Sequence, residues 1–154
     1  IAIDVSSSCC DSETMSEFWS ETYQCISQWS RNGYRGEFLI LQCDVEIQKE
    51  EWLKAEDFTE APETVSIKGF GGTSFVPVFE KIEQLKERGQ RIDALIYLTD
   101  GEGVYPKEET DYPVYFIMPG EYYDENETMN YVPEWIQTVR LEEKDGQGSD
   151  GEGK

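Results

Sequence analysis

The sequence predicts an α/β domain: a mostly parallel central sheet with one antiparallel edge strand and helices on both faces. Three observations carry that prediction. Runs at residues 38–41, 92–98 and 114–118 are dense in Ile, Leu, Val and aromatic side chains, as expected of strands covered on both faces. The longer stretches between them repeat apolar residues at three- and four-residue spacing, which sets those residues along one side of a helix. A chain of 154 residues with 13% aromatic content can fill a core of its own, so a single domain over residues 1–141 is expected.

Residues 1–4 form the first strand, which runs into the hydroxyl cluster Ser6, Ser7 and Ser8. A core-facing helix follows. Met15, Phe18, Thr22, Cys25, Ile26 and Trp29 mark its buried stripe, Glu13, Glu17 and Glu21 lie elsewhere on the wheel, and Asn32-Gly33 stops it. Residues 38–44 make a central strand. Val45 and Ile47 then alternate with charged residues, the pattern of an exposed edge hairpin, with a partner strand carrying Val65 and Ile67 beyond the acidic loop 56–63. The glycine-rich loop 69–74 leads into a second helix bearing Phe75, Val78, Phe79, Ile82 and Leu85, capped by Thr73 or Ser74 and ended by Gly89. Strands at 92–98 and 114–118 come next, and residues 135–141 supply a last strand or strand-helix piece. Residues 142–154 are acidic and glycine-rich, a tail expected to be disordered.

Charge narrows the chemistry. Acidic residues number 33 against 13 basic ones, there is no histidine, and the formal charge is −20. Without histidine, Ser-His and Cys-His nucleophilic pairs and the H-E-x-x-H zinc motif cannot form within the chain. An acidic surface repels nucleic-acid phosphates and anionic lipid, so no nucleic acid and no membrane is expected as partner, whereas cations are favoured. Cys9, Cys10, Cys25 and Cys43 contain no C-x-x-C pair and read as free, buried thiols of a reducing compartment, which points to the cytoplasm. No apolar run reaches membrane-spanning length, and no leader pattern precedes the first strand. A chain that opens without Met inside a strand reads as a domain cut from a longer protein. The sequon Asn126-Glu127-Thr128 reads as a chance match.

In open parallel sheets, ligands bind where loops leave the carboxyl ends of the strands. Three such loops carry Asp4 with Ser6, Ser7 and Ser8, then Gly71-Gly72-Thr73, then Thr99-Asp100-Gly101. Two carboxylates close together in a partly buried crevice are unfavourable unless a cation compensates or one takes up a proton. Oxygen-only ligands select a hard cation, and a small ligand set completed by water suits Mg²⁺ or Mn²⁺ better than Ca²⁺. Asp44 and Glu102, near the same rim, read as solvated loop carboxylates and Cys9 as packing. Tyr105, Tyr112, Tyr122, Tyr123 and Tyr131 read as core-edge packing rather than a recognition rim.

The motifs D-x-S-x-S (Asp4, Ser6, Ser8), G-G-T (Thr73) and T-D-G (Asp100) resemble the metal-ion-dependent adhesion site, MIDAS, of von Willebrand factor type A (VWA) domains, a Rossmann-like fold. The resemblance runs from residue 1 to about residue 141. More narrowly, Gln42-Cys43-Asp44, the segment from Gly71 through Phe79 and the segment from Leu95 through Gly103 are similar to the VWA-like domain that ends bacterial proteins labelled metallopeptidases. In that group an upstream helical domain carries the peptidase-like part, and a MoxR-type AAA+ ATPase is the usual associate. The resemblance implies that Ser6 and Ser8 bind the metal directly, Thr73 directly or through water, and that Asp4 and Asp100 hold coordinated waters while a partner's Asp or Glu completes the shell. Ser7 stands where Gly is commoner, which puts the backbone freedom of that loop in question.

Three functions are consistent with these residues: a metal-bridged protein-binding module, a metal-dependent hydrolase with Asp4 or Asp100 as general base, and a structural domain with a vestigial site. The first is preferred, because both carboxylates are committed to the metal and no Lys, Arg or His stands in the motifs to stabilise an oxyanion. The expectation is a monomeric module, not itself catalytic, that holds Mg²⁺ or Mn²⁺ and assembles with a protein such as the AAA+ ATPase. Any peptidase residues would lie upstream.

Overall fold

The computed structural model describes residues 1–9, 12–57, 69, 71–119 and 132–141. The first strand, β1 (Ala2–Asp4), is short and buried at every position, because it runs through the middle of the sheet. Helix α1 (Ser12–Arg31) returns the chain to β2 (Glu37–Cys43), which turns at once into β3 (Ile47–Lys54). A 3-10 turn (Ala55–Asp57) follows, then helix α2 (Val76–Glu87), β4 (Leu95–Leu98), β5 (Val114–Met118) and β6 (Gln137–Arg140).

These strands form one six-stranded sheet in the order β3-β2-β1-β4-β5-β6. β1 pairs parallel with both β2 and β4, β5 pairs parallel with β4 and β6, and β3 pairs antiparallel with β2 at the edge. The predicted mostly parallel sheet with one antiparallel edge strand is the observed one. Alternation along each strand divides the core between two faces. Ala2, Leu41, Leu95, Tyr97, Val114 and Phe116 pack with Val78, Phe79 and Ile82 of α2. Ile3, Phe38, Ile40 and Leu98 pack with Phe18 and Ile26 of α1. Both helices end where an orphan carbonyl needs a donor and glycine can turn left-handed. Gly33 (φ 91°) and Gly89 (φ 87°) occupy that position, and Tyr34 and Gln90 donate back to Trp29 and Leu85.

Several expectations need correction. On α1 the buried stripe is Phe18, Thr22 and Ile26, spaced by four; Cys25 is exposed and Trp29 is 39% exposed. Trp29 lies on the flank of the helix and stacks on Phe38 instead, ring centroids 5.6 Å apart. The Met15 side chain lies outside the described part of the helix. Edge strand β3 folds back on β2, with Glu37 opposite Lys54 and a bulge at Gln42/Cys43, so the hairpin forms within residues 37–54. The partner strand expected around Val65 and Ile67 lies outside the described residues, as do Cys10, the sequon, Tyr122, Tyr123, Tyr131 and the tail 142–154.

Neither Thr73 nor Ser74 caps α2. The residue before the helix is Phe75, which offers no capping side chain, and Pro77 in the first turn removes one N–H that would otherwise need a partner. Pairing of β4 begins at Leu95 rather than residue 92; the residues before it are largely exposed, with Arg91 and Asp93 paired with each other at 2.9 Å. No helix among the described residues is long and apolar enough to cross a membrane.

Candidate metal centre

The sheet order fixes where ligands can approach. From β1 the chain moves outward to β2 and β3, then crosses back to the other side of β1 to lay down β4. The carboxyl ends of β1 and β4 therefore flank the point where strand order reverses, and a crevice opens there. Asp4 ends β1 and Asp100 follows β4, so topology brings together two carboxylates that are far apart in sequence.

Asp4 has no solvent exposure. Its Oδ1 accepts from the Ser6 backbone N–H at 2.9 Å and its Oδ2 from the Thr99 hydroxyl at 2.6 Å. Thr99 in turn accepts from the Gly101 N–H at 3.1 Å, which shapes the turn presenting Asp100. Burial pushes the Asp4 carboxyl above the usual carboxylate range; the bonds from Ser6 and Thr99 pull it back, and the charge of Asp100 pushes it up again. Among the described residues, no ion pair involves Asp4 or Asp100. Among the described residues, the crevice thus gathers two carboxylates that no Lys or Arg pairs with.

The hydroxyls of Ser6 and Ser8 stand 3.2 Å apart, Ser6 buried and Ser8 exposed. Two oxygens on adjacent corners of a magnesium octahedron, with bonds of about 2.0–2.1 Å, stand about 3 Å apart, so this spacing fits such an ion. Thr73 reaches the same rim through its neighbours. The Ser7 N–H and hydroxyl both donate to the Gly71 carbonyl, at 3.1 and 3.3 Å, which binds the glycine loop to the serine loop. On its other side Thr73 accepts from the Val104 N–H at 3.3 Å, and a Cβ on Gly103 would stand 2.8 Å from the Thr73 methyl. Asp4, Ser6, Ser8 and Asp100 are therefore drawn together, with Thr73 on the loop that spans them. At Ser7, where glycine is commoner, the extra hydroxyl is used to bind that loop.

Three features were misread or missed in the sequence. Asp44 is no solvated carboxylate: it is 3% exposed and accepts from the Glu46 N–H at 3.1 Å, the Gln48 amide at 3.0 Å and the Gly71 N–H at 3.2 Å. It pins the β2–β3 turn to the glycine loop. Its position at the carboxyl end of a buried strand, like that of Asp4, is the signal that could have identified it. Glu102 is exposed, as expected. Thr99, buried between Asp4 and Gly101, was legible only as part of T-D-G. Cys9 packs in the core as expected, and what the sequence did not reveal is that its sulfur and a carboxylate oxygen each from Asp4 and Asp100 lie within 4.8 Å of one another. Burial, then the charges of Asp4 and Asp100, push the Cys9 thiol far up.

Asp44 gives a measurable consequence. Burial alone would raise its pKa, but the bonds from Gln48, Glu46 and Gly71 outweigh it and hold the carboxyl below the usual range. A carboxyl depressed in the folded state stabilises the fold above its ordinary pKa and loses that contribution as pH falls below about 4. Asp44→Ala is expected to cost about 1–3 kcal/mol at neutral pH. Chemical denaturation across pH 3–7 checks it: the difference between parent and variant narrows toward the acid end.

The adjacent tyrosines behave as core-edge side chains. Tyr105 stacks on Phe116 and meets Phe75 at a tilt, and Tyr112 is buried. No curated protein matches the chain. A family model described as VWA-like domain (DUF2201) matches residues 1–142, in accord with the observed sheet order and with loops at its carboxyl edge. This chain belongs to that family of VWA-like domains.

Proposed function

We propose that this chain is a protein-interaction module whose contact with its partner depends on a divalent cation, Mg²⁺ or Mn²⁺, at the carboxyl ends of β1 and β4. Membership in a VWA-like family supports an interaction module in general terms. The observation that carries the finer reading is the buried Asp4 carboxylate beside Asp100, with no ion pair to either among the described residues and two serine hydroxyls at octahedral spacing on the same rim. Ser6 and Ser8 would hold the ion directly, Thr73 directly or through water, and Asp4 and Asp100 through waters that they orient. Bound there, the ion supplies a positive charge and a coordination position for a carboxylate from another protein.

Electrostatics accommodates two acidic partners. Repulsion from a charge of −20 is screened over about 10 Å at moderate salt, whereas a carboxylate–cation contact is local. The expected occupant is an Asp or Glu on a protein surface, and a MoxR-type AAA+ ATPase is the partner to try first. The domain's own contribution is positioning: Thr99 and the Ser6 N–H orient Asp4, and the Ser7–Gly71 bonds hold the glycine loop against the serine loop.

Thermal melts test this. Mg²⁺ at a hundredfold excess over its Kd is expected to stabilise the fold by about 2.7 kcal/mol, and EDTA to reverse the shift. Ser6→Ala should melt near the parent without metal and lose most of the response. Equal melts in Mg²⁺, Mn²⁺ and EDTA would leave the domain as a structural one.

A further inference from the structure

We infer that Cys9 is a sulfur ligand of this centre, so that the same loops take thiophilic divalent ions of the zinc and cobalt class as well as hard ones. The inference rests on the reading of these loops as a metal site and extends it to a new donor and a new class of metal.

Geometry carries it. The Cys9 sulfur and one oxygen each from Asp4 and Asp100 lie within 4.8 Å of one another. Ligands of a single tetrahedral zinc-sized ion, with bonds of about 2.0–2.3 Å, stand about 3.3–3.8 Å apart. Donors already within 4.8 Å of one another come into one coordination sphere by side-chain movements of about 1 Å, with Asp4 and Asp100 then bound to the ion directly rather than through water. Cys9 is 1% exposed, and its own N–H donates to the Ser6 carbonyl at 3.1 Å, closing the turn that follows β1. That turn fixes the residue beside the carboxylates. Of the other described cysteines, Cys25 is exposed on α1 and the Cys43 sulfur lies against the carbonyls of Asp44 and Ser74; neither belongs to the cluster.

Ligand chemistry then separates two classes of ion. Mg²⁺ and Mn²⁺ favour oxygen and leave a thiol as an uncoordinated neighbour. Zn²⁺ and Co²⁺ favour thiolate, and a site offering one sulfur and two carboxylates binds them more tightly than the oxygens alone would. In that case a metal–sulfur bond forms, the S–H bond breaks heterolytically, and the proton passes to bulk water; nothing is oxidised or reduced.

Cobalt reports sulfur coordination optically. The full chain, freed of metal with EDTA and desalted, is titrated with Co²⁺ while the near-ultraviolet thiolate-to-cobalt charge-transfer absorption is recorded, and Mn²⁺ binding is followed in parallel by electron paramagnetic resonance. The expected result is a saturable charge-transfer band in the parent that is absent in Cys9→Ala. Co²⁺ affinity in that variant falls by roughly ten- to a hundredfold, while Mn²⁺ affinity stays within about twofold. Binding of both ions by the parent without the band overturns the sulfur ligand and leaves the proposed function standing. A band that persists in Cys9→Ala also overturns it, by assigning the sulfur to another cysteine. Failure of the parent to bind either ion removes both readings. Cys9→Ser, which keeps the size of the side chain, serves if the alanine variant does not fold.

Discussion

Phe75→Ala is expected to lower stability by about 3–5 kcal/mol, the range for deleting a fully buried aromatic ring. Phe75 has no solvent exposure. Its ring meets Tyr97, Phe116 and Tyr105 at centroid distances of 5.1, 5.0 and 4.8 Å, so its removal leaves a cavity bounded by three other rings. The residue also anchors the site, because its N–H donates to the Val104 carbonyl at 2.9 Å just after Thr73 and Ser74. For a chain of this size the loss corresponds to a fall in Tm of roughly 6–20 °C, measurable by calorimetry in EDTA. Val104→Ala is the control: Val104 is 61% exposed, and its truncation should stay within about 0.5 kcal/mol.

Asp4→Asn is expected to split stability from metal response. In the metal-free domain the folded state holds the Asp4 carboxyl above its ordinary pKa, chiefly through burial. Sign follows from linkage: the native state binds this proton more tightly than the unfolded chain does. Stability is therefore greatest below the ordinary carboxylate range and is lost as pH rises through the raised value. An amide carries no charge to bury, can still accept from the Ser6 N–H, and can donate to the Thr99 oxygen if that hydroxyl turns. At neutral pH in EDTA the variant should melt no lower than the parent. On adding Mg²⁺ the parent should rise by about 5–10 °C at a hundredfold excess over Kd, and the variant should rise little. A variant that is strongly destabilised in EDTA yet still responds to metal would assign Asp4 to the fold rather than to the ion.

The legibility of the chain follows from the length scale of the forces involved. Buried strands and helix stops are written locally, so the runs ending at Leu98 and Met118 and the glycines at 33 and 89 could be read directly. Asp4 and Asp100 were legible for a different reason: strand ends in a parallel sheet have one place to go, and their loops must meet at the order reversal. Contacts made across the fold were not written locally. Cys25 and Trp29 match helical spacing as well as Ile26 does, and only the docking angle of α1 against the sheet decides which face is covered. Asp44 looked like a loop carboxylate because its donors, Gln48 and Gly71, are supplied by the β2–β3 turn and a loop 27 residues away. The place of Cys9 beside both carboxylates depends on the turn at residues 6–9 and on β4 together, which no spacing rule encodes.

Anomalous scattering from a crystal of the domain grown with Mn²⁺ tests the central claim most directly. The account predicts one strong manganese peak in the crevice between the carboxyl ends of β1 and β4, within bonding distance of the Ser6 and Ser8 hydroxyls and flanked by Thr73, Asp4 and Asp100. Manganese found only elsewhere on the acidic surface, with that crevice empty, would contradict it.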